Sequence, residues 1–167
     1  MDKATSDSTP AATETPASTA TSTPGFLVWL LSMKWRMAVD RALVQLGLTH
    51  AQYSLLSSLL AMERSGRRPS QSELALYTGL EPLYVSKLAR ALELADLIER
   101  GLHPEDSRAV QLTLTDLGRE ATHTAVDVIE PLFDELLAPL GGLGAERTDR
   151  FTRDLAALLD APPRLLT

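Results

Sequence analysis

The stretch from Ser70 to Leu94, SQSELALYTGLEPLYVSKLARALEL, constrains the fold more than any other part of the chain. Ser70 and Glu73 have the spacing of a capping box, in which each residue satisfies the other's free amide at a helix start. Thr78-Gly79 breaks that helix after about two turns. Pro82 suits the first position of the next helix, with Glu81 before it. Two short helices joined by a tight, glycine-containing turn form a helix-turn-helix. On the second helix, Val85, Leu88, Ala89 and Leu92 share one face at about 100° per residue and must pack on a core. The opposite face carries Leu83, Lys87, Arg90 and Leu94, flanked by Tyr84 and Ser86, while its acids, Glu81, Glu93 and Asp96, lie at the ends.

The next segments fix the kind of helix-turn-helix. LIER (Leu97 to Arg100) is followed by the polar loop GLHPEDSRA and by VQLTL (Val110 to Leu114), which alternates with the period of a half-buried strand. Two strands closed by that loop make a β-hairpin directly after the second helix. That arrangement is a winged helix, with PEDSRAV near the tip of the wing.

Helices are expected on both sides of this core. Phe26 to Leu46 reads as one, stopped by Gly47 just past its end. Its first two turns are apolar on nearly every side, which points to burial between subunits. A second helix starts at Thr49, boxed with Gln52, and carries Leu55, Leu56, Leu59, Leu60 and Met62 before the basic loop RSGRRP (Arg64 to Pro69). Thr115 caps a long helix to about Ala138, in which Pro131 should produce a kink. GGLG (Gly141 to Gly144) breaks the chain before a last amphipathic helix carrying Phe151, Leu155, Leu158 and Leu159 and ending at Pro162-Pro163. The expected fold class is mainly α with a small β-hairpin wing. Residues 25–161 form one domain, with a lobe at about 49–115 between dimerisation helices at 26–47 and 116–160.

Residues 1–24 are Thr, Ser, Ala or Pro at 19 positions. Such a segment buries too little apolar area to offset its chain entropy and is expected to be a disordered tail; 162–167 form a short C-terminal tail. The N-terminus lacks the basic and apolar blocks of a secretion signal. The longest apolar run, FLVWLL, is too short to cross a bilayer, so no membrane partner and a cytoplasmic location are expected. There is no cysteine, which excludes disulfides, thiolate metal sites and thiol redox sensing.

The net charge of −6 argues at first against nucleic acid. The distribution of that charge points the other way. Residues 64–110 hold seven basic and seven acidic side chains, whereas residues 111–167 hold five against ten. Local charge decides whether a surface can approach phosphates.

In order and spacing, LTHAQYSLL (Leu48 to Leu56), SQSELA (Ser70 to Ala75), LELADLIER (Leu92 to Arg100) and PEDSRAVQLTLTDLG (Pro104 to Gly118) together resemble the MarR family of bacterial transcription regulators. Asp106 and Arg108 match the family's wing signature, and Leu114, Thr115 and Gly118 match its end. The resemblance covers about residues 26–160. It implies a homodimer that binds double-stranded DNA, each winged helix reading half of a pseudo-palindrome, with release by a small aromatic or phenolic effector in many relatives. Two positions depart from the pattern. Asp96 stands where the family usually has Gly, though Asp tolerates the left-handed conformation. Ser107 stands where Lys or Arg is frequent, which removes a cation from the wing tip.

A winged helix of this kind gives its residues DNA-facing roles. Lys87 and Arg90 can reach phosphates or base edges from the major-groove helix, Tyr84 and Ser86 can hydrogen-bond, and Leu83 can touch a thymine methyl. Ser70, Gln71 and Ser72 can clasp phosphate at a helix N-terminus. Arg108 can enter a narrow minor groove, with Asp106 supporting it. Arg67, Arg68 and Arg100 are further phosphate candidates. Trp35, Arg36, His50 and Tyr53 are candidates for an effector site.

An enzyme is not expected. No HExxH pair, nucleophile elbow or phosphate-binding glycine loop is present, and His50, His103 and His123 share no metal spacing. Glu105 and Asp106 sit on a loop tip, a poor acid/base pair. No cofactor is implied. The rival reading is a winged helix used for protein contacts, with little or no DNA binding.

Overall fold

The computed structural model describes residues 23–161 other than residue 105; the tails expected at 1–24 and 162–167 lie outside the described residues save for Thr23 and Pro24, and Glu105 lies outside them as well. Six helices and one hairpin follow the expected order. They are α1 (Pro24–Leu43), α2 (His50–Arg64), α3 (Gln71–Thr78), α4 (Pro82–Leu94), β1 (Ile98–Leu102), β2 (Val110–Leu114), α5 (Asp116–Leu137) and α6 (Glu146–Asp160).

Local chemistry sets most of these boundaries. α1 tightens into a 3-10 turn at Val44–Leu46 and ends on Gly47 at φ 65°, the left-handed geometry that glycine adopts without penalty. Both capping boxes form: Thr49 with Gln52 and Ser70 with Glu73. The Glu81 carboxylate accepts the Tyr84 N–H and starts α4 ahead of Pro82. α4 ends in a Schellman motif, with Asp96 N–H donating to Glu93 O and Leu97 N–H to Leu92 O. Asp96 takes φ 58° there, so the departure from glycine leaves the turn intact.

β1 and β2 pair antiparallel from Ile98↔Leu114 to Leu102↔Val110. The hairpin is two residues longer at its tip end than LIER suggested. A bridge between Ser70 and Gln111, and a bond from Leu112 N–H to Pro69 O, tie β2 to the start of α3. Leu55, Leu56 and Leu59 of α2 form one buried cluster with Leu74, Val85, Leu92, Ile98 and Leu112. Val39 and Leu43 of α1 and Ile129 of α5 extend it. α5 runs through Pro131 without interruption. Ala138–Leu140 form a 3-10 turn, and Gly141 and Gly142 turn the chain at positive φ into α6. The N-terminal turns of α1 remain uncovered: Phe26 to Leu31 are all exposed in the single chain. No helix among the described residues is long and apolar enough to cross a membrane.

Candidate nucleic-acid interface

α4 presents the surface its periodicity required. Val85, Leu88, Ala89 and Leu92 are buried. Lys87 and Arg90 are exposed and carry no ion pair among the described residues. Leu83 is 78% exposed and Tyr84 is exposed beside it, while Ser86 is half-buried. A large apolar side chain and two cations thus lie open to solvent on the face of α4 opposite the core.

At the wing tip, the Asp106 side chain accepts the Arg108 backbone N–H at 2.9 Å, and Asp106 O accepts the Ala109 N–H at 2.9 Å. His103 N–H closes the loop onto Ala109 O. Asp106 thus holds the Arg108 backbone, and the exposed guanidinium carries no ion pair among the described residues.

The α3 N-terminus divides its three polar residues. Ser70 is only 7% exposed, and its hydroxyl accepts the Glu73 N–H at 3.2 Å. That cap uses a lone pair of the Ser70 oxygen and holds the side chain at the start of α3. Ser72 is exposed, and Gln71 is half-buried with its side-chain oxygen lacking a hydrogen-bond partner. Glu73 accepts the Ser70 N–H at 2.7 Å; this bond and the Ser70 hydroxyl, helped by Arg67, hold its carboxyl below the usual carboxylate range.

The remaining arginines are partly engaged. Arg100 pairs with Glu93 at 3.2 Å and is half-buried. Arg67 lies 3.9 Å from Glu73, both side chains half exposed, and Arg68 is exposed. Sequence reasoning missed two residues beside them. Arg64 and Arg119 join Arg67 and Arg68 in lining a cleft of about 600 Å³ between the end of α2 and the base of the wing. Arg119 pairs with Glu63 and donates to Leu114 O, while Glu63 accepts the Leu114 N–H at 2.9 Å.

The four effector candidates do not share one cavity. Arg36 and His50 line a cleft of about 570 Å³ that reaches Thr78 and Tyr84 at the reader. Trp35 and His50 line an apolar cleft of about 420 Å³ between α1 and α6. Tyr53 lines neither; burial raises the pKa of its hydroxyl. Trp35 also packs edge-on against Phe133, ring centroids 5.3 Å apart. Burial lowers the pKa of His50, opposed by Asp40 and assisted by Arg36. No group of His, Asp or Glu among the described residues is arranged to hold a metal ion.

A helix-turn-helix followed at once by an antiparallel hairpin defines the winged helix-turn-helix class. Within that class, the sequence profile of the MarR family matches residues 46–109. An uncharacterized HTH-type transcriptional regulator, YdcH of Bacillus subtilis, is 34% identical over 136 residues, covering 81% of this chain and 89% of that protein. The chain therefore belongs to the MarR family of winged helix-turn-helix transcriptional regulators, and these relatives are regulators rather than enzymes. Among solved structures, the Mycobacterium tuberculosis transcriptional regulator MOSR in complex with DNA is 26% identical, with a TM-score of 0.67 over 82% of this chain and 93% of that one. The Staphylococcus aureus MepR–DNA complex superposes with a TM-score of 0.70 at 24% identity, covering 82% and 96% of the two chains, and bears on the fold.

Proposed function

We propose that this regulator acts in the cytoplasm as a homodimer that binds pseudo-palindromic double-stranded DNA and represses transcription from it. One observation carries the reading. In a chain of net charge −6, Lys87 and Arg90 stand exposed on the outer face of α4 with no ion pair among the described residues, near a wing whose loop carries Arg108. α4 then lies in the major groove, with Leu83, Tyr84 and Ser86 at base edges or backbone. Arg108 enters the adjacent minor groove, and Ser72 with the free amides of α3 meets a phosphate. Arg100, held by Glu93 at 3.2 Å, contributes less. The MOSR–DNA complex supports the choice of partner. The uncovered apolar residues Phe26 to Leu31, with Leu158 and Leu159 of α6, support pairing with a second copy. The cleft lined by Arg36, His50 and Tyr84 suits a small aromatic or phenolic acid, whose binding would displace the start of α4.

The test is selection of bound duplexes from a random pool, followed by fluorescence anisotropy at several salt concentrations. With about 6–10 phosphate contacts per dimer, affinity should fall ~10³- to 10⁵-fold between about 50 and 200 mM salt. Arg108→Ala should weaken binding to an A·T-flanked site. No enriched duplex, or salt-independent binding, overturns the reading and leaves the winged helix as a protein-contact module.

A further inference from the structure

We propose that the cleft between the end of α2 and the base of the wing is a binding site for a small, multiply charged oxyanion, such as a phosphate ester or polycarboxylate, separate from the DNA-facing surface. Four arginines, Arg64, Arg67, Arg68 and Arg119, line it, and Glu63 is the one carboxylate of the lining. Their charges are incompletely balanced. Arg68 has no ion pair among the described residues. The partner of Arg64 is the His123 Nε2 at 2.9 Å, an imidazole acceptor that brings no negative charge. The Arg67 contact with Glu73 is long and half exposed, a geometry that contributes little. A chain with six more acids than bases thus gathers uncompensated guanidinium groups around one concavity.

Guanidinium forks match oxyanions bidentately, and Gln111 and Thr113 add neutral hydrogen-bonding groups to the same wall. The volume, about 600 Å³, falls in the small-ligand range. The occupant is a free anion rather than the DNA backbone because no residue of α3 or α4 lines the cleft, and the wing contributes Gln111 and Thr113 of β2 there rather than its tip loop. The site is also coupled to the wing. Glu63 and Arg119 together hold the N–H and C=O of Leu114 at the end of β2, and an anion drawing on Arg119 competes with that clamp.

The experiment is calorimetric titration of inorganic pyrophosphate into the full-length protein without DNA, at about 0.1 M salt. One saturable site per chain is expected. The Arg64→Gln/Arg68→Gln double variant should bind about tenfold more weakly or worse, with an unchanged melting temperature, while Arg90→Gln should bind as the wild type does. Absence of saturable binding overturns the proposal, as does equal loss in Arg90→Gln, which would place the anion on the reader. In a second arm the Arg64→Gln single variant, which leaves the phosphate candidates Arg67 and Arg68 in place, is titrated with pyrophosphate and with the selected duplex. Lost DNA affinity together with absent pyrophosphate binding would assign the cleft to DNA phosphates and overturn the proposal too.

Discussion

Gly118→Ala tests the junction on which the wing is mounted. Gly118 is buried in the first turn of α5, where its N–H donates to the Thr115 hydroxyl at 2.9 Å. A Cβ built there meets Leu97 O at 1.8 Å and Leu97 C at 2.8 Å. These are backbone atoms, so no side chain can swing aside. Ordinary separation requires α5 and the chain entering β1 to part by about 1.5 Å or more. That parting strains the bonds joining the two elements, Thr115 N–H to Leu97 O at 3.2 Å and Thr115 Oγ1 to Asp96 O at 2.7 Å. Overpacking costs about 1–3 kcal/mol, and losing two hydrogen bonds costs roughly 1 kcal/mol each. Alanine returns about 1 kcal/mol of helix propensity. The net destabilisation is about 2–4 kcal/mol, a drop in Tm of roughly 5–15 °C. Thermal unfolding followed by circular dichroism measures it, with Gly144→Ala as the control, since a Cβ at Gly144 meets nothing within 4 Å. An unchanged or raised Tm for Gly118→Ala would refute the reasoning, because helix propensity would then have outweighed the backbone clash.

Asp96→Gly should stabilise the fold by about 0.5–1 kcal/mol, because Asp96 holds a left-handed conformation at φ 58° that glycine adopts freely; urea unfolding that shows a loss would mean the carboxylate contributes an interaction of its own. His50→Gln should flatten the loss of stability on acidification. Burial lowers the His50 pKa below its ordinary 6.5, so as pH falls through 6.5 the unfolded chain takes up a proton that the folded chain resists, and stability declines until the lower folded pKa is passed. Urea midpoints at pH 7.5 and 5.5 should therefore differ more in the wild type than in the variant. Leu83→Ala should weaken binding to the selected duplex by roughly tenfold where a thymine methyl is met, while leaving the salt dependence unchanged; a reduced salt slope would place Leu83 away from the bases.

The parts of the fold that were legible are those fixed by neighbours in sequence. The boxes at Thr49/Gln52 and Ser70/Glu73, Gly47 past the end of α1 and the alternation of VQLTL each solve a local problem of free amides or backbone conformation. Ser70 shows how such a signal can be read twice. Its spacing to Glu73 places the hydroxyl oxygen as acceptor of the Glu73 N–H, and the O–H is a separate donor that the cap bond does not use. The features hidden from the sequence depend on tertiary packing. Arg64 and Arg119 are far apart in sequence and line one cleft because α2 and α5 both pack against β2. Arg100 finds Glu93 across the chain reversal between α4 and β1, a pairing with no helical spacing behind it.

The wing is where local reading and tertiary arrangement together yield a mechanistic conclusion. Ser107 leaves Arg108 as the sole cation between Pro104 and Val110. The Asp106 carboxylate accepts the Arg108 backbone N–H and so fixes the turn without drawing in the guanidinium. A wing with one cation, held by its backbone, supplies position more than affinity. In the proposed DNA complex the electrostatic share of binding then falls mainly on Lys87 and Arg90, which carry no ion pair among the described residues. Removing Arg90 should accordingly lower the salt slope by about one unit for each phosphate it neutralises, whereas removing Arg108 should act most on sites with A·T-rich flanks. The opposite ranking would mean that the wing, not α4, anchors the protein to the backbone.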